Sequence, residues 1–431
     1  MPEVIEFDNF GRKQGEVARN LIIGYILFQV LVILASNQIT SVDIPIIQWI
    51  GNFMGLCLFA LAFLARYQMV SRTVYCVALI NLVCQIIPVC FYGEHLFDNL
   101  KTLGLNINII ATLLYLLVWG AMHNVLFSEI DVEKTLQTIL KISFGVSLLT
   151  LALDGNKLAY LLTNMNAYAI DFNGIFSNKN MLGSFAAVSL MAGIYLLHVQ
   201  KKKKLVLIMC VVIAIVLLAA LSRAAILAAA VFVLVFTVRR AYASVRFNEN
   251  RFIKKHGRLI RTFILLAAVV CVILYFRNDM FRQFVVTKLI RSNAGTAGRD
   301  IIWRDIISSF DNNALFYLFG MGYSELSVRN AKDCHNIFLY LYATGGLIKS
   351  CIYAFLFGKV FHSISKLKQQ NVALADFCFS AAIAYLVLGL FETNLLLELG
   401  LVNFVYALYA LFIPTMYNLV ERPINSMAQC R

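Results

Sequence analysis

The sequence predicts an all-α fold, a polytopic bundle of about twelve transmembrane helices. Of its 431 residues, 61% are apolar and only 14% are charged, and the mean hydropathy is +0.78. A soluble protein of this length would carry about 25% charged residues and could not bury so much apolar surface. With only 5 Pro, and with Cys spread through apolar runs, the chain is not disordered, collagen-like or a disulfide framework.

A helix needs roughly 20 apolar residues to cross a hydrocarbon core of about 30 Å. The polar first nineteen residues precede an apolar run without a cleavage site, so we expect an uncleaved first span and no signal peptide. The candidate spans are 20–36, 44–65, 69–91, 103–127, 138–153, 180–198, 205–221, 223–238, 262–276, 336–358, 372–391 and 395–418. They divide into N-terminal helices (1–153), a core (154–358) and C-terminal helices (359–431).

The net charge of +14 is distributed unevenly along the chain. Lys and Arg concentrate in alternate connections, including the clusters at 201–204 and 251–261, which predicts that both termini are cytoplasmic. Such basic clusters are able to bind nucleic acid as well as lipid headgroups. Because they occur in alternate connections between predicted spans, we expect their partner to be the lipid bilayer. Since no P-loop or GxGxxG occurs either, we expect no nucleic-acid partner.

Two outer connections, 154–179 and 277–335, are too long to be simple turns, and such loops are usually functional or disordered. The second contains RDIIWRDIISSF, in which Ile302, Trp303, Ile306 and Ile307 recur at helical spacing. We therefore expect an amphipathic helix that lies against the membrane surface or covers a cavity.

Two arginines on the outer side are candidates for anion binding. Arg223 lies between two apolar runs, where a charge needs a partner or a polar cavity, or else reaches the surface from a tight turn. Arg299 opens the amphipathic helix, with Trp303 one turn later. Guanidinium groups match phosphate oxygens, so the pair suits a diphosphate; Arg299 equally suits a local pair with Asp300 or Asp305.

The end of the long loop carries a candidate general base. His335 and Asn336 directly precede an apolar span, where a histidine suits acid–base work or simply satisfies the loop backbone. Cys334 is adjacent, but no partner residue indicates a thiol nucleophile.

Three further polar residues stand at or within predicted spans. Asn180 begins the sixth span, facing an anion or serving as its N-cap. Glu392, in the last outer turn, orients a base, binds sugar hydroxyls or is a plain turn charge. Lys349 lies at helix depth and needs a partner that the sequence does not name. No DxD pair or outer carboxylate cluster occurs, so we expect neither a metal nor another cofactor.

The motifs FSNKNMLG, SRAA, AGRDIIW, FGMGY and CHNIFLYLYATGGLI occur in this order over roughly 175–350. The combination resembles the bacterial O-antigen ligase and polymerase superfamily, and FETNLLLELG is similar to an acidic turn in some members. The first five spans match only in being hydrophobic, and the first motif of the family often has Pro at the position of Lys179.

The resemblance implies metal-independent, inverting glycosyl transfer from an undecaprenyl-diphosphate-linked glycan to a glycan acceptor, at the outer face of the bacterial cytoplasmic membrane. It implies that Arg223 and Arg299 hold the diphosphate and that His335 is the general base. We expect five other residues to bind substrate: Asn180, Ser222, Trp303, Asn336 and Glu392.

Three functions are compatible with these observations. The first is a polymerase of repeat units for O-antigen, capsule or exopolysaccharide, which would work beside a flippase and a chain-length regulator. The second is a ligase that delivers the finished glycan to lipid A core or another envelope acceptor. The third is a lipid-linked oligosaccharide flippase, against which stand the absence of an internal repeat and the long outer loop.

Overall fold

The computed structural model describes residues 2–38, 44–67, 100–163, 172–200, 203–246, 299–310, 314–322, 334–392 and 400–417. Every secondary-structure element within these ranges is helical, as predicted. In chain order the helices are α1 (Pro2–Gln38), α2 (Ile44–Arg66), α3 (Leu100–Met122), α4 (Glu129–Thr163), α5 (Lys179–Val199), α6 (Lys204–Ala219), α7 (Arg223–Arg246), α8 (Arg299–Phe310), α9 (Ala314–Phe319), α10 (Ile337–Gln370), α11 (Val372–Gly389), α12 (Leu401–Ala407) and α13 (Ile413–Tyr417). A π-helical turn, Leu408–Phe412, joins the last two.

Six helices of the described ranges, α1, α4, α5, α7, α10 and α11, are long and apolar enough to cross a membrane. Shorter apolar segments lie in α2, α3, α6 and the α12–α13 unit. These ten segments coincide with ten predicted spans, whereas the predicted spans 69–91 and 262–276 lie outside the described residues. The all-helical, membrane-type architecture is therefore confirmed.

Two helices are longer than the spans predicted at 138–153 and 336–358. Helix α4 begins with Glu129 and Asp131 in its first turn, where carboxylates favour the helix N-terminus. Helix α10 continues through polar residues to Gln370, and Asn371 then ends it and caps α11 by accepting the N–H of Leu374. Hydropathy alone detects only the apolar part of such helices.

Helices α5 and α7 pack at close range because the contact contains small residues. A Cβ added to Gly183 of α5 would lie 2.5 Å from the Cβ of Ser222, directly before α7. Small residues at helix contacts allow backbones to approach closely in membrane proteins. The contact places the start of α7 beside the first turns of α5.

The other ends of these helices meet around a buried carboxylate, Asp376, near the start of α11. Arg239 Nε donates to Asp376 Oδ1 at 2.8 Å, and Arg240 Nη1 lies 3.6 Å from Oδ2. Arg240 Nε also donates to His198 Nε2, near the end of α5, at 3.0 Å. Helix α7 therefore runs parallel to α5 and antiparallel to α11, with which it packs along its length.

We expect Asp376→Asn to lower the stability of the folded protein without touching the candidate active site. Asp376 is 2% exposed, and its loss would leave two arginines without their carboxylate. Breaking a buried ion pair of this kind costs on the order of 3 kcal/mol, which a thermal midpoint in detergent would register as a clear decrease. Asp305→Asn, which changes an exposed carboxylate on α8, is the control; equal midpoints for both variants would contradict the prediction.

Helix α8 forms where the amphipathic helix is predicted, and one of its apolar faces packs on the other described helices. Ile306 and Phe310 are buried and Ile302 is half-buried, whereas Ile307 is 60% exposed. Residues at positions i, i+4 and i+8 share one helix face, and a neighbour one residue away is rotated by about 100°. Ile307 therefore lies off the face that packs on the other described helices and stays on the exposed side of α8.

Helix α10 is broken at Gly346, which has φ +61° and ψ −158°, a conformation that favours glycine. The end of α9 packs into this break, where Met321 N–H donates to the Ala343 carbonyl at 2.8 Å. A Cβ on Gly346 would collide with the backbone of Leu318. Part of the predicted loop 277–335 is therefore helical and packs on α10 at backbone distance.

Lys349 has a hydrogen-bond partner within its own helix. It is 1% exposed, and its Nζ donates to Thr344 Oγ1 at 3.0 Å, on the other side of the break. Thr344 Oγ1 in turn donates to the Tyr340 carbonyl at 2.7 Å. Thr344 is thus a partner of the Lys349 ammonium group, and the sequence alone does not identify this partner.

Candidate active site

Three predicted site residues from distant parts of the chain meet at one place. Arg299 Nη2 lies 3.8 Å from Glu392 Oε1, and His335 Nδ1 lies 3.7 Å from Glu392 Oε2. These distances allow ion pairing but exceed those of hydrogen bonds. All three side chains are partly accessible, at 21%, 29% and 12% of their surface for Arg299, His335 and Glu392. Glu392 therefore stands between a fixed cation and an imidazole at an accessible site.

The backbone around His335 holds the imidazole in an unusual position. His335 has φ +45°, in the left-handed region that few residues other than glycine adopt. The next residue, Asn336, is the N-cap of α10, and its Oδ1 accepts the N–H groups of Phe338 and Leu339. Asn336 Nδ2 also donates to the Leu390 carbonyl at 3.4 Å. The amide oxygen of Asn336, a residue predicted to bind substrate, is thus engaged in capping α10.

Trp303 contacts the same loop from α8. Its Nε1–H donates to the carbonyl of Cys334 at 2.6 Å, and Cys334 is fully buried. Arg299 and Trp303 are four residues apart and hence one turn apart on α8. One helix therefore supplies both the cation beside Glu392 and a hydrogen bond to the residue before His335.

A second group of predicted residues lies at the starts of α5 and α7. Ser222 precedes α7, accepts Ile226 N–H with its carbonyl and is 1% exposed. Its Oγ has no hydrogen-bond partner among the described residues. Arg223, the first residue of α7, is half-buried. A buried serine and a half-buried arginine are thus neighbours in the chain at the start of α7.

The N-cap of α5 is Asn178, so the interpretation of Asn180 as the cap is wrong. Asn178 has an extended backbone, and its Oδ1 accepts Met181 N–H at 2.9 Å, whereas Asn180 lies inside the first turn and is half-buried. An N-cap residue requires non-helical φ and ψ, which only the first of the two asparagines has. The side chain of Asn180 is therefore not the cap.

Helix register places both groups at the same end of the bundle. Arg223 precedes Arg239 by 16 residues, and Glu392 follows Asp376 by 16 residues, in two antiparallel helices joined at Arg239 and Asp376. A rise of 1.5 Å per residue places Arg223 about 24 Å from that junction along α7, whereas Glu392 lies just beyond the end of α11, on the side away from the junction. The contact between Gly183 and Ser222 places the start of α5 at the same end as Arg223. Arg223 and the group formed by Arg299, His335 and Glu392 therefore lie toward the same end of the antiparallel helices α7 and α11.

Sequence reasoning missed Asp154, a carboxylate that shapes the loop before α5. Asp154 interrupts α4 with non-helical dihedral angles, and its Oδ2 accepts the N–H groups of Asn173 and Gly174 at 3.0 and 2.7 Å. Lys157 Nζ lies 2.8 Å from its Oδ1. The signal is a nearly buried acid at the end of an apolar run, which needs hydrogen-bond donors. Asp376 carried the same signal, since a carboxylate within a predicted span requires a partner.

The arrangement has the groups needed for acid–base chemistry on an anionic substrate. The two arginines supply charge to bind phosphate, the imidazole is able to accept a proton, and the carboxylate is placed to orient the imidazole. No protein-family model matches the chain, and no curated protein matches it significantly.

Proposed function

We propose that the protein is a glycosyltransferase that polymerises undecaprenyl-diphosphate-linked oligosaccharide repeat units. The observation that carries this proposal is the meeting of Arg299, Glu392 and His335 at one end of a bundle of apolar helices. A cation, a carboxylate and an imidazole in that position suit a substrate with a lipid tail, an anionic diphosphate and a sugar hydroxyl. The family resemblance of the motifs supports the same chemistry.

In the proposed mechanism, the arginines act on the donor. Arg299 and Arg223 bind the diphosphate of the lipid-linked chain, with Ser222 Oγ and Asn180 as further hydrogen-bonding groups. Negative charge develops on the diphosphate as the bond between the sugar anomeric carbon and the phosphate oxygen breaks. Fixed guanidinium groups stabilise that charge in the transition state, so they lower the barrier without a metal ion.

In the same mechanism, His335 acts on the acceptor. Its Nδ1 faces Glu392, which favours the proton on Nδ1 and leaves Nε2 to accept the proton of the acceptor hydroxyl. The hydroxyl oxygen then forms the new bond to the anomeric carbon with inversion, and the lipid diphosphate leaves. Glu392 stabilises the imidazolium that results and keeps the ring oriented.

The proposed location is the bacterial cytoplasmic membrane, with the site on the outer face and both chain termini in the cytoplasm. In this orientation the Asp376 end of the bundle, beside Lys203 and Lys204, faces the cytoplasm, in agreement with the positive-inside rule. The diphosphate of a lipid-linked donor lies at the membrane surface, which fits arginines at the helix ends.

A deletion strain distinguishes polymerase from ligase. Loss of a polymerase leaves single repeat units on the acceptor, because one unit is still transferred but not extended. Loss of a ligase instead leaves long chains on the lipid carrier. We expect the first result, and normal glycan in the deletion strain would refute both functions.

We expect Glu392→Gln to reduce the rate of elongation about tenfold, with an unchanged amount of protein in the membrane. Glutamine keeps the shape of the side chain but removes the charge that orients His335 and stabilises its imidazolium. Because the base itself remains, we expect a smaller decrease in rate than from replacement of His335. Elongation in isolated membranes, normalised to protein, measures the effect. Glu133→Gln, in the second turn of α4, is the matched control; the same rate in both variants would show that Glu392 has no part in the reaction.

A further inference from the structure

We propose that Trp303 is a positioning residue that sets the place of the proposed base, His335, through the carbonyl of Cys334. This inference rests on the proposed function and adds a role that differs from direct contact with substrate. It assigns to α8 the task of fixing the base in addition to carrying Arg299.

A hydrogen bond links Trp303 to the peptide bond that precedes His335. Trp303 Nε1–H donates to Cys334 O at 2.6 Å, and this carbonyl belongs to the peptide bond that ends at the nitrogen of His335. Holding the carbonyl fixes the plane of that peptide bond. On the other side, Asn336 is fixed as the N-cap of α10. The backbone of His335 is therefore held from both directions.

The contacts on both sides of His335 flank an unfavourable backbone conformation. His335 adopts φ +45°, which costs a residue with a Cβ on the order of 1–3 kcal/mol. Such a conformation persists only where the surrounding contacts enforce it. The Trp303 hydrogen bond and the Asn336 cap are the contacts that flank it. Loss of the first of them removes one restraint on the loop, and we expect the imidazole to shift away from Glu392.

The indole nitrogen of Trp303 is already engaged in a hydrogen bond. The Trp303 side chain is half-buried, and its N–H, the only polar group of the side chain, donates to the loop rather than to a substrate site. The described chain offers a matched tryptophan elsewhere, since Trp119 Nε1–H donates to Thr415 Oγ1 at 3.0 Å within the core. Replacing either residue with phenylalanine removes one indole hydrogen bond and keeps an aromatic ring.

The test compares Trp303→Phe with Trp119→Phe in cells that lack the chromosomal gene. Elongation is measured in isolated membranes that contain the lipid-linked repeat units of the strain, and it is normalised to the amount of protein. We expect about a tenfold decrease for Trp303→Phe and less than a twofold decrease for Trp119→Phe. Equal normalised rates for Trp303→Phe and the wild type would overturn the proposal.

A double-mutant cycle separates positioning from general destabilisation. If Trp303 acts through the contact of His335 with Glu392, Trp303→Phe has less than a twofold effect when Glu392→Gln is already present. Trp119→Phe has the same small effect in both backgrounds. If the elongation rate of the double variant falls by the product of the two single-variant decreases, the proposal is overturned. Failure of the proposed function is distinguishable, because His335→Ala would then elongate glycan normally.

Discussion

Replacement of His335 with alanine is expected to abolish chain elongation while the protein remains in the membrane. A sugar hydroxyl is a poor nucleophile until a base takes its proton, and loss of a positioned base typically reduces the rate by 10²–10⁴-fold. His335 is 29% exposed and ends a loop, so its replacement removes no buried side chain. The cells should accumulate single, unextended repeat units, which gel analysis of the surface glycan would reveal.

His362→Ala is the matched control for this prediction. His362 lies on α10, far from the N-terminal end that His335 precedes, and is exposed. We expect normal glycan from this variant at the same protein level. A normal ladder of chain lengths from His335→Ala would refute the assignment of the base.

Replacement of Arg299 with alanine is expected to have an effect of similar size for a different reason. Arg299 would stabilise charge on the departing diphosphate, and removal of one such group typically lowers a rate by about 10²–10³-fold. Arg299→Lys restores the charge but not the paired donors of a guanidinium, so we expect only partial recovery. Elongation in isolated membranes at saturating acceptor compares both variants with the wild-type protein.

Arg304→Ala provides the control, because Arg304 is an exposed arginine on the same helix. It should elongate glycan at the rate of the wild-type protein. Equal loss of activity in Arg299→Ala and Arg304→Ala would show that α8 contributes charge in general. Normal activity in Arg299→Ala would refute its proposed role at the donor.

Much of the architecture follows from local patterns in the sequence. Hydropathy locates ten of the described apolar helical segments, and spacing locates α8, because burial of one helix face depends on residues close in the chain. The ends of α4 and α10 escape prediction, since their polar turns carry no hydropathy signal. The choice of Asn178 over Asn180 as the cap depends on backbone dihedral angles rather than residue type.

In the candidate site, too, local sequence predicts some features and tertiary packing determines the others. The neighbouring sequence identifies three residues individually as candidates, namely Arg299, His335 and Glu392. Their contacts, however, depend on packing between α8, the start of α10 and the end of α11. The pairing of Asp376 with Arg239 spans 137 positions of the chain and leaves no short motif. A single sequence therefore indicates which groups carry chemistry, while only the fold indicates which of them act on each other.

The ion pair between Arg239 and Asp376 has a consequence for how this chain is able to vary. Because the junction is fixed, the position of Arg223 is set by the number of residues between it and Arg239, and each inserted or deleted residue would turn it by about 100° around the axis of α7. Glu392 depends on the length of α11 in the same way. Changes of side chain on the lipid-facing surfaces of these helices are therefore compatible with the site, whereas changes of their length are not.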